Sequence, residues 1–164
     1  MAFAKPANKY TVVETNHVAA VMDGRMASQY PTKVALQNGM AVIVDYAKKE
    51  VKLPLATSKN IALHASEEQI YEDHLGRNRF YIPANGYPRA LFLSVGDIFE
   101  TNALADIAGN YAAKDVLHPD TSGFWSTTGT VVGITGVIVE IVTLPNGSPG
   151  AKIAITAVDA PAAV

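Results

Sequence analysis

Gly129-Thr-Val-Val-Gly-Ile-Thr-Gly-Val-Ile-Val-Glu-Ile-Val-Thr-Leu144, then Asn146-Gly147, then Lys152-Ile-Ala-Ile-Thr-Ala-Val158, is the stretch that decides the fold class. It is β-branched and glycine-punctuated, with a turn dipeptide where a hairpin needs one. On the returning segment Ile153, Ile155 and Ala157 alternate with Lys152 and Thr156, so one face is expected to be wet. The outgoing segment is apolar on both sides. Val132, Ile134 and Ile138 lie on one face, and Val131, Val137, Val139 and Ile141 on the other. Such a strand is central in a sandwich or barrel, or one of its faces meets another subunit.

Outward from this hairpin, the aliphatic residues keep to short runs separated by turn residues, the pattern of an all-β domain. Tyr10-Thr-Val-Val-Glu-Thr15, Val51-Lys-Leu53, Asn60-Ile-Ala-Leu-His64, Arg79-Phe-Tyr-Ile82, Arg89-Ala-Leu-Phe-Leu-Ser-Val95 and Asp97-Ile-Phe-Glu-Thr101 all read as strands, with a bend at Gly96. Lys33-Val-Ala-Leu-Gln37 and Met40-Ala-Val-Ile-Val-Asp45 flank Asn38-Gly39, which predicts a second hairpin. Ser66-Glu-Glu-Gln69 forms a capping box, and Ile70, Tyr71, His74 and Leu75 share one helical face before Gly76. Two turns of helix are therefore predicted from Ser66 to Leu75. Residues 103–120 give no clear period and read as a long, exposed loop. The expectation is an all-β barrel or sandwich of about seven to ten strands with one short helix. The domain limits expected are an N-terminal arm over residues 1–9, a single β domain over 10–159 and a flexible tail over 160–164.

The chain has 164 residues, enough to bury about two-thirds of its surface without staples, and no cysteine to make a disulfide, a thiolate nucleophile or a metal knuckle. A net charge of −2, with the thirteen basic residues scattered, argues against nucleic acid as a partner, because phosphate binding needs clustered Lys and Arg. The densest basic groups, Lys48-Lys49-Glu50-Val51-Lys52 and Arg77-Asn78-Arg79, read as solvated loops. The first eight residues lack the charged-then-apolar build of a secretory leader, and no apolar run approaches the roughly 20 residues of a membrane helix.

Candidate chemistry is thin. His64 and His74 flank Glu67, Glu68, Glu72 and Asp73, but no spacing shared by metal ligands occurs, so a solvated helix face and a partly buried histidine are expected, with no metal. His118-Pro119-Asp120 reproduces a co-chaperone tripeptide outside its helical setting. Asp97 and Glu100 stand an odd number apart on one strand and face opposite sides, which suits a bend-capping Asp97 better than a glycosidase pair. Nucleophile elbows, P-loops and dinucleotide fingerprints are missing, so neither an enzyme nor a cofactor is expected. A rival hydrolase reading assembles Asp97, Glu100, His118 and Asp120. Two features favour protein contact instead. Phe124 and Trp125 stand in a polar run, and Tyr81 and Tyr87 surround Pro83 and Pro88; aromatics on such loops either pack the loop on its own domain or anchor an interface, and all four are taken as the contact residues. Stacking on sugars, as in a carbohydrate-binding or adhesin module, is the competing use of these rings.

Asp23-Gly24-Arg25, Asn38-Gly39-Met40 through Val44-Asp45, Leu63-His-Ala-Ser66 with Glu68 and Tyr71, and Pro88-Arg89 through Gly96-Asp-Ile-Phe-Glu-Thr-Asn102 together resemble a class of small virion proteins of tailed bacteriophages. These are commonly taken as head decoration, or auxiliary capsid, proteins. The likeness covers roughly residues 23–102 and is one of pattern. It implies a capsid-surface location, the major capsid protein as partner and no catalytic residue, and leaves a trimeric or monomeric form open. The low charge (17%) beside 49% hydrophobic residues is what suggests self-association or contact with neighbouring copies. A tail or neck component of the virion is the variant within the same class.

Overall fold

The long carboxyl-terminal hairpin forms as its alternation predicts, and it organises one of two sheets. The computed structural model describes residues 10–67, 80–105, 111–145 and 147–159. In chain order the elements are β1 (Val13–His17), α1 (Ala19–Asp23), β2 (Met26–Ala27), β3 (Ala41–Asp45), β4 (Glu50–Lys52), β5 (Ala62–His64), β6 (Ala90–Phe92), β7 (Ile98–Thr101), β8 (Val116–Pro119), β9 (Trp125–Ser126), β10 (Ile134–Thr143) and β11 (Pro149–Val158). Strands β1-β7-β11-β10-β8-β9 make a six-stranded sheet and β2-β6-β5-β3-β4 a five-stranded one, with every paired strand antiparallel. The fold is all-β and sandwich-like, not a closed barrel. No helix among the described residues is long and apolar enough to cross a membrane.

Register shows which side of the six-stranded sheet is dry. Ile138, Ile153 and Phe99 stand side by side across β10, β11 and β7, and Leu117, Gly136 and Ile155 do so one step along. All six are buried. Ala41, Leu63 and Leu91 face them from the five-stranded sheet, and together these residues form the main core. Gly136 has a packing reason: a Cβ there would meet Ile153 Cγ2 at 2.6 Å, and the Trp125 ring lies just beyond.

Two bulges correct the simple alternation. Ile138 pairs with Ile153 and Glu140 with Lys152, so Val139 has no opposite number and the phase reverses. Ile141 consequently turns toward the core, away from the face it was expected to share with Val137 and Val139. Thr156 is likewise unopposed, which leaves Ala157 exposed and brings Val158 inward against the core.

Three other expectations change. Asn38-Gly39 makes no hairpin, because residues 33–37 form no strand; Leu36 makes one isolated bridge with Ile82. Gly39 serves close packing, since a Cβ would fall 2.1 Å from Thr101 Oγ1 and φ is +89°. The described part of residues 103–120 is not a long exposed loop: Ala103, Leu104, Tyr111 and Leu117 are buried, and β8 lies within the stretch. A short helix occurs at α1, where no local cap announced it. Its first amide is capped from afar, Ala19 N donating to Asp97 Oδ1 at 2.9 Å. The helix predicted over Ser66–Leu75 lies almost wholly outside the described residues, as do residues 1–9 and 160–164.

A smaller apolar cluster covers the far side of the five-stranded sheet. Leu36, Met40, Val42, Val51, Ala62 and Ala90 form it, with Tyr30, Ile82 and Phe124 packed against them. This second layer is made of loops instead of a sheet, and it ends at His64.

Candidate functional site

His64 closes β5 and points to the same side as Ala62 and Ala90, into the loop layer, because it pairs with Ala90 in register. It is fully buried. Nδ1 lies 2.8 Å from the Gln37 carbonyl, which can only accept, so Nδ1 carries the proton. Nε2 is then a bare acceptor, and the Ser66 hydroxyl donates to it at 2.9 Å. Ser66 Oγ in turn accepts the Arg89 amide at 2.9 Å. Asn38 clamps the same corner, its Nδ2 donating to Ser66 O and its Oδ1 accepting Ser66 N. A cleft of about 200 Å³ opens beside this corner, between residues 13–16 of β1 and a wall of Asn38, Ser66, Glu67 and Arg89.

A serine hydroxyl on an unprotonated imidazole at a cleft is the first half of a nucleophilic pair. The second half is a group that stabilises the imidazolium once it has taken the proton, and the geometry supplies the opposite. A backbone carbonyl stands where a triad has a carboxylate. Burial, helped by the Arg89 charge and only partly opposed by the Gln37 bond, lowers the His64 pKa to about 4. Ser66 N–H, a natural oxyanion donor, is bound to Asn38. The corner is therefore a relay of fixed donors and acceptors that joins loop 37–39, β5 and the start of β6. The partly buried histidine expected from the sequence, His74 on the helical stripe, lies outside the described residues. Sequence reading placed His64 at the end of a strand and missed the relay. The signal was the two-residue spacing of His64 and Ser66, which puts both on one side of an extended chain.

The residues of the rival hydrolase reading do not converge. The Asp97 carboxylate accepts Ser94 N at 2.7 Å and Ala19 N at 2.9 Å, capping a bend and a helix together. Glu100 pairs across the sheet with Lys152 at 3.3 Å. His118 Nδ1 donates to Ile134 O. Asp120 Oδ1 accepts from Ser122 N, Ser122 Oγ and Phe124 N within its own turn. The ion pair of Asp45 with Lys52 at 2.7 Å depresses the carboxyl pKa and raises that of the amine, at the surface of the β3–β4 hairpin. Among the described residues, no three His, Asp or Glu side chains gather where they could hold a metal ion.

The four predicted contact aromatics divide. Trp125 is 0% exposed: its ring packs 5.4 Å from Phe99 and its Nε1 donates to Gly39 O at 3.0 Å. It is a core residue and offers nothing to a partner. The polar run around it misled because β9 is a two-residue strand that dips inward between two turns. Phe124 is half-buried against the loop layer. Tyr81 and Tyr87 are exposed, at 40% and 64%. Tyr81 also stacks on Tyr10, with ring centres 4.6 Å apart.

Sequence reading singled out Val132, Val137 and Val139 on a strand apolar on both faces, but not the other bare aliphatic residues of the surface. Met22 (91% exposed), Val95, Val132 and Leu55 are all bare. On the outer side of the six-stranded sheet Val116, Val137, Ala154 and Ile98 form one row across β8, β10, β11 and β7. Val116 and the bulged Val139 are each about half exposed. A charged row, Glu140, Lys152, Glu100 and Glu14, runs beside it. Comparison with protein-family models, curated proteins and solved structures returned no match to this chain.

Proposed function

We propose that this chain is a virion structural protein that decorates a phage capsid and stabilises it by binding the major capsid protein at the capsid surface. The observation that carries the reading is the outward apolar row of Val116, Val137, Ala154 and Ile98, bordered by charge, on a sheet whose other side is a filled core. Apolar residues in register on an exposed sheet face suit protein contact, and a charged border suits the rim of such a contact. Tyr81 and Tyr87 supply further exposed rings on loop 81–87, which packs through Ile82 into the loop layer of the five-stranded sheet. Trp125 and Phe124 belong to the interior and the loop layer. A decoration protein occupies many equivalent positions, so each contact is modest and avidity, or contact between neighbouring copies, supplies the rest. The ionisable groups with described partners serve turns, caps and ion pairs, which fits a binding role without a cofactor.

The test is co-sedimentation of the purified chain with undecorated heads. Binding at micromolar concentration, weakened by Tyr87→Ala or Val137→Glu, is the expected result. A chain that stays in the supernatant overturns the reading. The Tyr10–Tyr81 pair favours a second reading, a carbohydrate-binding module in which these rings stack on a sugar. Binding to a glycan array that is lost in Tyr81→Ala, without head binding, selects it.

A further inference from the structure

The corner around His64 uses every hydrogen-bonding atom of the imidazole in its neutral form, and that arrangement has a consequence independent of what the outer surface binds. Four segments meet there: loop 37–39, the end of β5, Ser66, and Arg89 at the start of β6. Their connections are direct. Gly39 N donates to His64 O and His64 N to Met40 O, both at 2.8 Å, and Ala65 N donates to Arg89 O at 3.0 Å. Gly39 O receives the Trp125 indole, so the corner is also tied to the main core.

We propose that this corner is an acid-operated latch: protonation of His64 parts loop 37–39 and Ser66 from Arg89 and opens the cleft beside β1. A proton arriving at Nε2 turns that nitrogen from acceptor into donor. Ser66 must then rotate its hydroxyl away while its oxygen accepts from two N–H groups at once. The new charge would sit in a fully buried position beside the Arg89 guanidinium. The charged groups around the cleft are Arg89, Glu67 and Glu14; Glu67 is well exposed and 3.7 Å from Arg89, and Glu14 stands on β1 across the opening. The ring nitrogens themselves meet a carbonyl and a hydroxyl, so no described carboxylate receives the imidazolium directly. Opening exposes the ring to water and relieves each of these conflicts.

The sign follows from linkage. The folded ring holds its proton only near pH 4, the open ring near 6.5, so between those values the open form binds more protons. The latch is fully closed above about pH 6.5 and loosens as the pH falls toward 4. From pH 6.5 to about 4.5 the opening equilibrium should rise about 40-fold.

Amide hydrogen exchange on the intact chain, corrected for intrinsic rates, reads this at Gly39, Ala65 and Ser66, with Ile153 as a core reference. The expected result is acceleration of the first three by about 40-fold over that range, absent in His64→Gln, which stays neutral. Equal acceleration in the variant, or none in the wild type, overturns the proposal. Should the variant fail to fold, the His64 ring resonances of the wild type give the answer. Opening must share its midpoint with ring protonation, and opening that follows carboxylate titration while the ring stays neutral overturns the latch.

Discussion

The two sheets differ in how many of their faces are dry, and the difference explains their sequences. The five-stranded sheet is covered on both sides, by the main core on one and by the loop layer on the other. Its strands accordingly read as unbroken apolar runs: Ala41-Val-Ile-Val44 in β3, Ile61-Ala-Leu63 at β5 and Ala90-Leu-Phe-Leu93 at β6. The six-stranded sheet has one wet face, and β11 and β7 alternate as a wet face requires, with Lys152 and Glu100 outside and Ile153 and Phe99 inside. Strand β10 breaks that rule. It lies inside the wet-faced sheet yet carries Val137 and Val139 outward. The mismatch between where the strand sits and what it shows to water is what singles out the outer face.

Replacing Trp125 by alanine attacks the core that both sheets share and should have the largest effect, a loss of about 3–5 kcal/mol in urea unfolding. A loss below about 1 kcal/mol would mean the indole is not the keystone its burial makes it. Leu36→Ala strikes the loop-covered side instead. Because loops collapse onto a cavity more readily than a sheet does, about 2–3 kcal/mol is expected, the low end for a buried leucine. Equal losses at the two sites would erase the contrast between a stiff layer and a soft one.

Gly136→Ala tests the inner face from the other direction, by overfilling it. A methyl group aimed at Ile153 should cost about 1–3 kcal/mol, seen as a lowered melting temperature with the fold retained. Smallest of all are changes on the wet face. Val137→Thr and Tyr87→Ala should each leave stability within about 0.5 kcal/mol while weakening attachment to undecorated heads. A large destabilisation by Val137→Thr would show that its side chain is already packed within the chain.

What was legible in the sequence was mostly local. Alternation in Lys152-Ile-Ala-Ile155 placed Ile153 and Ile155 inside, and the positive φ at Gly96 follows from its place between two strands. What was not legible depended on partners far along the chain. The cap of α1 comes from Asp97, 78 residues away, so nothing at Val18 announced a helix. Asn38-Gly39 looks like a hairpin turn, yet its glycine is required by Thr101 and its asparagine by Ser66. Trp125 looked exposed because its neighbours Ser122, Thr127 and Thr128 are polar, and a strand of two residues is too short to show a period. Bulges at Val139 and Thr156 shifted phase without leaving any mark in composition. His64 and Ser66 were visible as a spacing, whereas Gln37 and Arg89, which fix the tautomer and the charge, are brought in only by the folded chain.

The strand order has a further consequence for assembly of the chain during synthesis. Among the described strands β11, the last in chain order, lies between β7 and β10, and β1, the first, pairs with β7. Until residue 158 has left the ribosome, the middle of the larger sheet is a gap with an exposed ladder on each side. The larger sheet can therefore close only once β11 has been made, through contacts between distant segments. That is a slow route for a domain of this size, and one on which truncated or stalled products remain open and prone to aggregate.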